Sequence, residues 1–222
     1  DRRAAVKHYE AGKSAKRAGE FERAQQLLHQ AAQLDPQWGA PRLELAAVLR
    51  TIGAETEQRR SLLRKTRQLL PKNPRVHYES ALFKRHCGER QAAIDHLKRA
   101  LDLRRDYDEA HFALAQLTEE IGQYEQALAL YTSFLATHRH HAGAYFGIAE
   151  CARHLNKPAE EERALLHLVR LAPRNPIGYL RMARFYRRMG VSGRAQEFMA
   201  IANSLVKREA PRQMRPLLRS IK

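Results

Sequence analysis

An all-α solenoid of six consecutive helix pairs is the fold that this 222-residue sequence predicts. Three observations predict it. Helix-breaking residues recur at Gly19, Gly53, Gly88, Gly122, Asn156 and Gly190, at intervals of 34 residues with a single interval of 35. Gly and Asn are the residues that accept the left-handed conformation in which helices commonly end. A second lattice keeps the same phase. Ala24, Ala93, Ala127 and Ala195 each follow a punctuating glycine by five residues, and Pro36, Pro71 and Pro173 lie 17 or 18 residues beyond a break. Between the breaks, apolar residues fall at the i, i+3, i+4 spacing of amphipathic helices. Such faces are too large for one pair to bury alone, so stacking supplies the core and the array is the folding unit.

The expected units run over about 5–38, 39–73, 74–107, 108–141, 142–175 and 176–209, followed by a basic segment at 210–222. In the first, Gly12 and Gly19 precede Phe21, Ala24, Leu28, Ala31 and Pro36. The second carries one extra residue and puts Gln58 and Arg59 around the place where its second helix should be small. The third repeats the small residues as Ala81 and Ala93 on either side of Gly88. The fourth is the cleanest: Phe112, Leu114, Ala115, Leu117 and Ile121 lead to Gly122, and Tyr124, Ala127, Leu128, Leu130, Tyr131 and Leu135 follow. The fifth departs with Asn156, Pro158 and Glu161, so it and the second are expected to be the softest. The sixth ends its first helix at Gly190 and continues through Ala195. In 210–222, Leu217, Leu218 and Ile221 either cap the last apolar ridge or belong to a basic tail; a terminal repeat needs a polar outer face.

Charge is the unusual feature of the composition. Forty Lys and Arg against 24 Asp and Glu give +16, beyond the magnitude of about 2–8 usual for a small domain. Arg outnumbers Lys 30 to 10. Guanidinium suits two-point recognition of carboxylate or phosphate, although a GC-rich genome gives the same bias. Residues 108–141 carry a net −4 and residues 176–222 a net +9, so the positive field that would steer an anionic partner is strongest towards the C-terminal end. No apolar run approaches the ~20 residues needed to span a bilayer, and membrane insertion by this segment is not expected. A soluble protein is expected, with the bacterial cytoplasm favoured over the periplasm; Asp1 in place of an initiating Met leaves room for an upstream segment. Cys87 and Cys151 make no disulfide framework and read as two reduced thiols.

The units resemble the tetratricopeptide repeat (TPR) family over about residues 5–209. Gly12, Gly19, Phe21, Ala24, Leu28, Ala31 and Pro36 fall at its signature positions, and Gly12, Ala47, Ala81, Ala115, Ala149 and Ala183 occupy the small position where the helices of a pair approach. The resemblance implies a right-handed superhelix whose first helices line a concave groove that takes extended peptides. On that reading Tyr9, Leu43, Tyr78, Phe112, Phe146 and Leu180 form its floor. A second row runs beside them: Lys16/Arg17, Arg50, Arg85/His86, Glu119/Glu120, Arg153/His154 and Arg187/Arg188, with Lys13 and Arg184 one turn earlier. The candidate partner-binding residues are therefore Tyr9, Lys13, Lys16, Arg17, Arg50, Tyr78, Arg85, Phe112, Phe146, Arg153, Arg184, Arg187 and Arg188. The alternative is that these rows are ordinary scaffold, since Tyr and Lys are common at these places in the family and cations are favoured near helix C-termini. The doubled charges at Lys16/Arg17 and Arg187/Arg188 and the reversal at Glu119/Glu120 are not family habit. The family's carboxylate clamp for chaperone tails is not matched: Tyr9 and Lys13, then Glu44 or Leu45, then Arg75 and Glu79 stand in its places, without its asparagines.

The expected function is a non-enzymatic interaction scaffold, without cofactor or metal, that binds an acidic and partly apolar segment of a protein partner. Nucleic-acid or polyanion binding through the same groove is the alternative, opposed by the acidic fourth unit. A third reading is the TPR module of a larger enzyme or of an envelope assembly lipoprotein, as in six-repeat bacterial lipoproteins that assist pilus or secretion assembly. Gly12-Lys13-Ser14 imitates the end of a phosphate-binding loop, but Lys7 stands where the first glycine belongs and the segment reads as helix. His138-Arg139-His140-His141 gathers three imidazoles without a carboxylate or thiol and reads as a polar turn rather than a metal site. Neither a His-Glu-x-x-His nor a Gly-x-Ser-x-Gly pattern occurs. Oligomeric state is left open.

Overall fold

The computed structural model describes residues 1–54 and 56–209, with side chains described through residue 206. The expected cap or tail at 210–222 lies outside the described residues. The described chain holds twelve α-helices and no strand. They are α1 (Arg2–Arg17), α2 (Phe21–Leu34), α3 (Gly39–Thr51), α4 (Thr56–Leu69), α5 (Pro74–His86) and α6 (Arg90–Leu103). There follow α7 (Asp108–Glu120), α8 (Tyr124–Thr137), α9 (Ala142–His154), α10 (Pro158–Leu171), α11 (Pro176–Arg188) and α12 (Ser192–Glu209). No helix among the described residues is long and apolar enough to cross a membrane.

Two compact units divide the chain, residues 1–117 and 118–222. In the first, α1 to α6 pack in sequence, each on the next, and α3 also touches α1 and α5. In the second, α8 to α12 pack in sequence. Every odd-numbered helix ends in the same way. Gly19, Gly53, Gly88, Gly122 and Gly190 have φ between +67° and +81°, and Asn156 has φ +53°. The residue after each break returns its N–H to a carbonyl five residues back: Glu20 to Ala15, Ala54 to Leu49, Glu89 to Lys84, Gln123 to Thr118, Lys157 to Ala152 and Val191 to Tyr186, at 2.9–3.0 Å. This is the Schellman closure, which satisfies carbonyls that a helix end leaves unpaired.

The turns between pairs use a second device. A side chain early in each following helix donates to a carbonyl six residues back in the preceding turn. Arg42 bonds Pro36 O at 2.8 Å, His77 Nε2 bonds Pro71 O at 2.9 Å, and His111 Nε2 bonds Arg105 O at 2.7 Å. Tyr145 Oη bonds Arg139 O at 3.2 Å and Tyr179 Oη bonds Pro173 O at 3.1 Å. Arg, His and Tyr share only a donor at the right reach, and that is what a turn with an orphaned carbonyl requires.

Apolar cores lie within each unit. Ala15, Ala24, Leu28, Leu45, Val48 and Leu49 join in the first. Ala149, Ala164, Leu165, Leu168, Met182, Phe185 and Tyr186 join in the second. Small residues set how closely helices approach: a Cβ added at Gly12 would meet Leu28 Cγ at 2.8 Å. The two expected soft places hold buried charges with partners. Arg59 lies over the Phe83 ring at 5.3 Å and is 4% exposed; burial, with Arg50 nearby, lowers its pKa. Glu161, also 4% exposed, accepts a hydrogen bond from Arg188.

Candidate partner-binding surface

In residues 1–117, α1, α3, α5 and α7 carry Tyr9, Leu43, Tyr78 and Phe112. Leu43 is buried and the three rings are half-buried. Tyr9 packs on Trp38 with ring centroids 4.7 Å apart, and Lys13 Nζ lies 5.0 Å over the Tyr9 ring. Tyr78 packs on Tyr107 at 5.2 Å. Burial, with Glu109 nearby, pushes the Tyr107 hydroxyl up to about 12. Trp38 and Tyr107 precede α3 and α7 in the inter-pair turns, so stepping through equivalent helix positions does not reach them.

The cations of this unit are tied to carboxylates from neighbouring first helices. Lys16 Nζ donates to Glu44 Oε2 at 2.8 Å, and Arg75 bonds both Glu44 oxygens, one of them at 3.1 Å. Arg50 bonds both oxygens of Glu79, at 3.1 and 3.4 Å. Burial alone would raise the Glu44 pKa, but the hydrogen bonds from Arg75 and Lys16 outweigh it and bring the group down to about 2. Arg85 reaches Gln116 at 3.5 Å. Arg17 is exposed and makes no ion pair among the described residues. Lys16 and Arg50 thus stitch α1 to α3 and α3 to α5. The acids responsible, Glu44 and Glu79, occupy the position one residue beyond the floor row, a second periodic row that the sequence reading did not follow.

In residues 118–222, Arg153 on α9 faces Arg184, Arg187 and Arg188 on α11. An open cleft of about 570 Å³ lies between them, lined also by Glu150, Glu161 and Arg181. Glu150 is the hub: Arg153 bonds it at 2.9 Å and Arg181 at 2.7 Å. Arg181 also lies 4.9 Å over the Phe146 ring. Arg188 pairs with the buried Glu161, whose pKa is raised by burial against the opposing pull of Arg188. Arg184 and Arg187 are exposed and have no ion-pair partner among the described residues. Glu119 is half-buried and accepts the Tyr131 hydroxyl at 2.6 Å; burial raises its pKa, with the Tyr131 bond opposing. A second cleft, of about 530 Å³, adjoins the first and is lined by Phe146, Leu168, Ala172, Ile177 and Arg181. Arg181 walls both. It sits one turn before Arg184, yet only the fold reveals that it is held between a ring and a carboxylate.

The histidine turn wraps Phe134. His138 stacks on that ring at 4.3 Å, His141 meets its edge at 5.0 Å, and His141 Nδ1 caps α9 by accepting the Ala144 N–H. No metal-binding group of three side chains occurs among the described residues.

Comparison with known proteins agrees with this architecture. The Tetratricopeptide repeat family model matches residues 119–176. PilW, described as a widely conserved type IV pilus biogenesis factor, superposes with TM-score 0.81 at 13% identity, over 96% of this chain and 98% of that one. Pseudomonas aeruginosa pilF gives 0.77 at 16%, over 99% and 98%. YrrB, described as a TPR protein with an unusual peptide-binding site, gives 0.67 at 15%, over 80% and 91%. A search of curated proteins found no match. Residues 119–176 thus match the tetratricopeptide repeat family, and the superpositions show the same all-α helix-pair repeat fold over the chain.

Proposed function

We propose that the chain is a non-enzymatic scaffold that binds an extended, acidic and partly apolar segment of a protein partner along the first helices of its repeats. The observation that carries this reading is the guanidinium cluster of α9 and α11. Three of its five arginines are held by Glu150 and Glu161, while Arg184 and Arg187 remain open to a ligand. Half-buried aromatic side chains supply contact area at low entropic cost, and Arg supplies orientation. Affinity for one short peptide is expected near micromolar, because ordering a flexible ligand consumes much of the contact energy. The peptide-binding site named for YrrB supports the reading by analogy of fold.

The test is a titration of labelled acidic peptides against their amide analogues and against random oligonucleotides, each at several salt concentrations. Preference for the acidic peptide over its amide analogue supports the scaffold. Oligonucleotide binding that falls about 10³–10⁵-fold between 50 and 200 mM salt, with no peptide binding, replaces it with the polyanion reading. A pilus or secretion assembly role is a second reading. It is favoured by the superposition of PilW and pilF over nearly the whole of both chains.

A further inference from the structure

Two clefts in residues 118–222 share one wall, and that wall is Arg181. On one side lie Arg184 and Arg187, exposed and unpaired among the described residues. On the other side lies an apolar recess with Phe146 at its floor and Ile177 at its rim. Ile177, in the first turn of α11, is 50% exposed. Arg181 cannot swing freely between the two, because its guanidinium is bonded to Glu150 at 2.7 Å while lying on the Phe146 ring. It therefore presents a fixed edge: hydrophobic space on one flank, positive charge on the other.

From this we infer that residues 142–203 form a two-part peptide site whose ligand carries a bulky apolar residue adjacent to a pair of acids. The apolar side chain fills the recess over Phe146 and Ile177, and the carboxylates bind Arg184 and Arg187. Glu150 and Glu161 set the specificity. They already neutralise Arg153, Arg181 and Arg188, so the site takes a ligand with a few localised charges rather than a continuous phosphate chain. Charge complementarity and the adjoining apolar recess together favour a peptide. This inference rests on the scaffold reading and narrows it to one place and one motif.

The test is selection of a random dodecapeptide display library on the full chain, followed by anisotropy titration of the enriched peptide against variants. The expected enrichment pairs at least two Asp or Glu residues with a Leu, Ile, Phe or Met. Arg184→Glu with Arg187→Glu should weaken that peptide roughly tenfold or more. Ile177→Asp should weaken it similarly, and should abolish the difference between the peptide and its version with Ser at the apolar position. All three positions are exposed, so circular dichroism should show an unchanged fold. Retained binding in these variants, with loss in Arg17→Glu, overturns this site and leaves the scaffold reading standing. Failure of the library to enrich any acidic peptide overturns both. Enrichment of acids without an apolar residue overturns the two-part motif.

Discussion

Gly147→Ala is the sharpest perturbation of the surface that carries the candidate site. Gly147 lies on α9 between Phe146 and Glu150, and α9 packs against α8 through Tyr131. A Cβ built on Gly147 would lie under 3.0 Å from three atoms of the Tyr131 ring. That ring is 1% exposed and its hydroxyl is held by Glu119 at 2.6 Å, so it cannot rotate away at low cost. Overpacking of this kind costs about 1–3 kcal/mol. Alanine recovers about 0.5–1 kcal/mol of helix propensity over glycine. Taking the midpoints of both ranges, the net expected loss is about 1 kcal/mol, or about 2–4 °C in Tm at this chain length. Gly193→Ala is the internal control, because its added Cβ meets nothing within 4 Å on α12; it should gain about 0.4–1 kcal/mol. Thermal unfolding by circular dichroism, with amide exchange by mass spectrometry, reads both. Exchange in Gly147→Ala should quicken within residues 118–206 more than within 1–117, since a repeat transmits strain chiefly to its neighbours. A Gly147→Ala variant as stable as the parent, beside a Gly193→Ala variant that gains as expected, would refute the close packing of α9 on Tyr131.

Other expectations follow from particular groups. Glu44 has a folded pKa of about 2 against an ordinary 4.5, so its contribution is present above about pH 4.5 and is lost as pH falls towards 2. A shift of this size corresponds to about 3 kcal/mol. The partial exposure of Lys16 and Arg75 reduces that to about 1–2 kcal/mol. Glu44→Gln should flatten the acid limb of a stability–pH curve between pH 5 and 2; an unchanged limb would deny the stitch between α1, α3 and α5. Asn156→Gly should slow exchange slightly in residues 142–175, because glycine bears φ +53° at less cost than asparagine. Alkylation of the native chain at pH 8 should modify Cys87 before Cys151. Cys151 is fully buried and its thiol is pushed up to about 12, chiefly by burial and then by Glu119 and Glu150; equal labelling of both thiols would mean that α9 opens readily.

The sequence alone determined the architecture, because every element that specifies it is local and repeated. A left-handed residue must end each first helix, so Gly and Asn mark the breaks, and the six sequence breaks are the six positive-φ positions among the described residues. Helical spacing of apolar residues then fixed which faces bury. The rows of the candidate surface were legible for the same reason, since equivalent positions in a repeat share an environment. What those side chains do was decided by tertiary contact. Lys16, Arg50 and Arg188 read as open cations, yet each meets a buried carboxylate from another helix about 27–29 residues away. Glu161 read as a softening intrusion, yet it holds Arg188. The turn-locking series of Arg42, His77, His111, Tyr145 and Tyr179 left no pattern in composition, because a carbonyl asks only for a donor within reach. Arg181 is held by Phe146 and Glu150, neither of them in its own helix. Periodicity reports how a chain repeats along its own axis; which charge meets which depends on distances across helices, and only packing sets those.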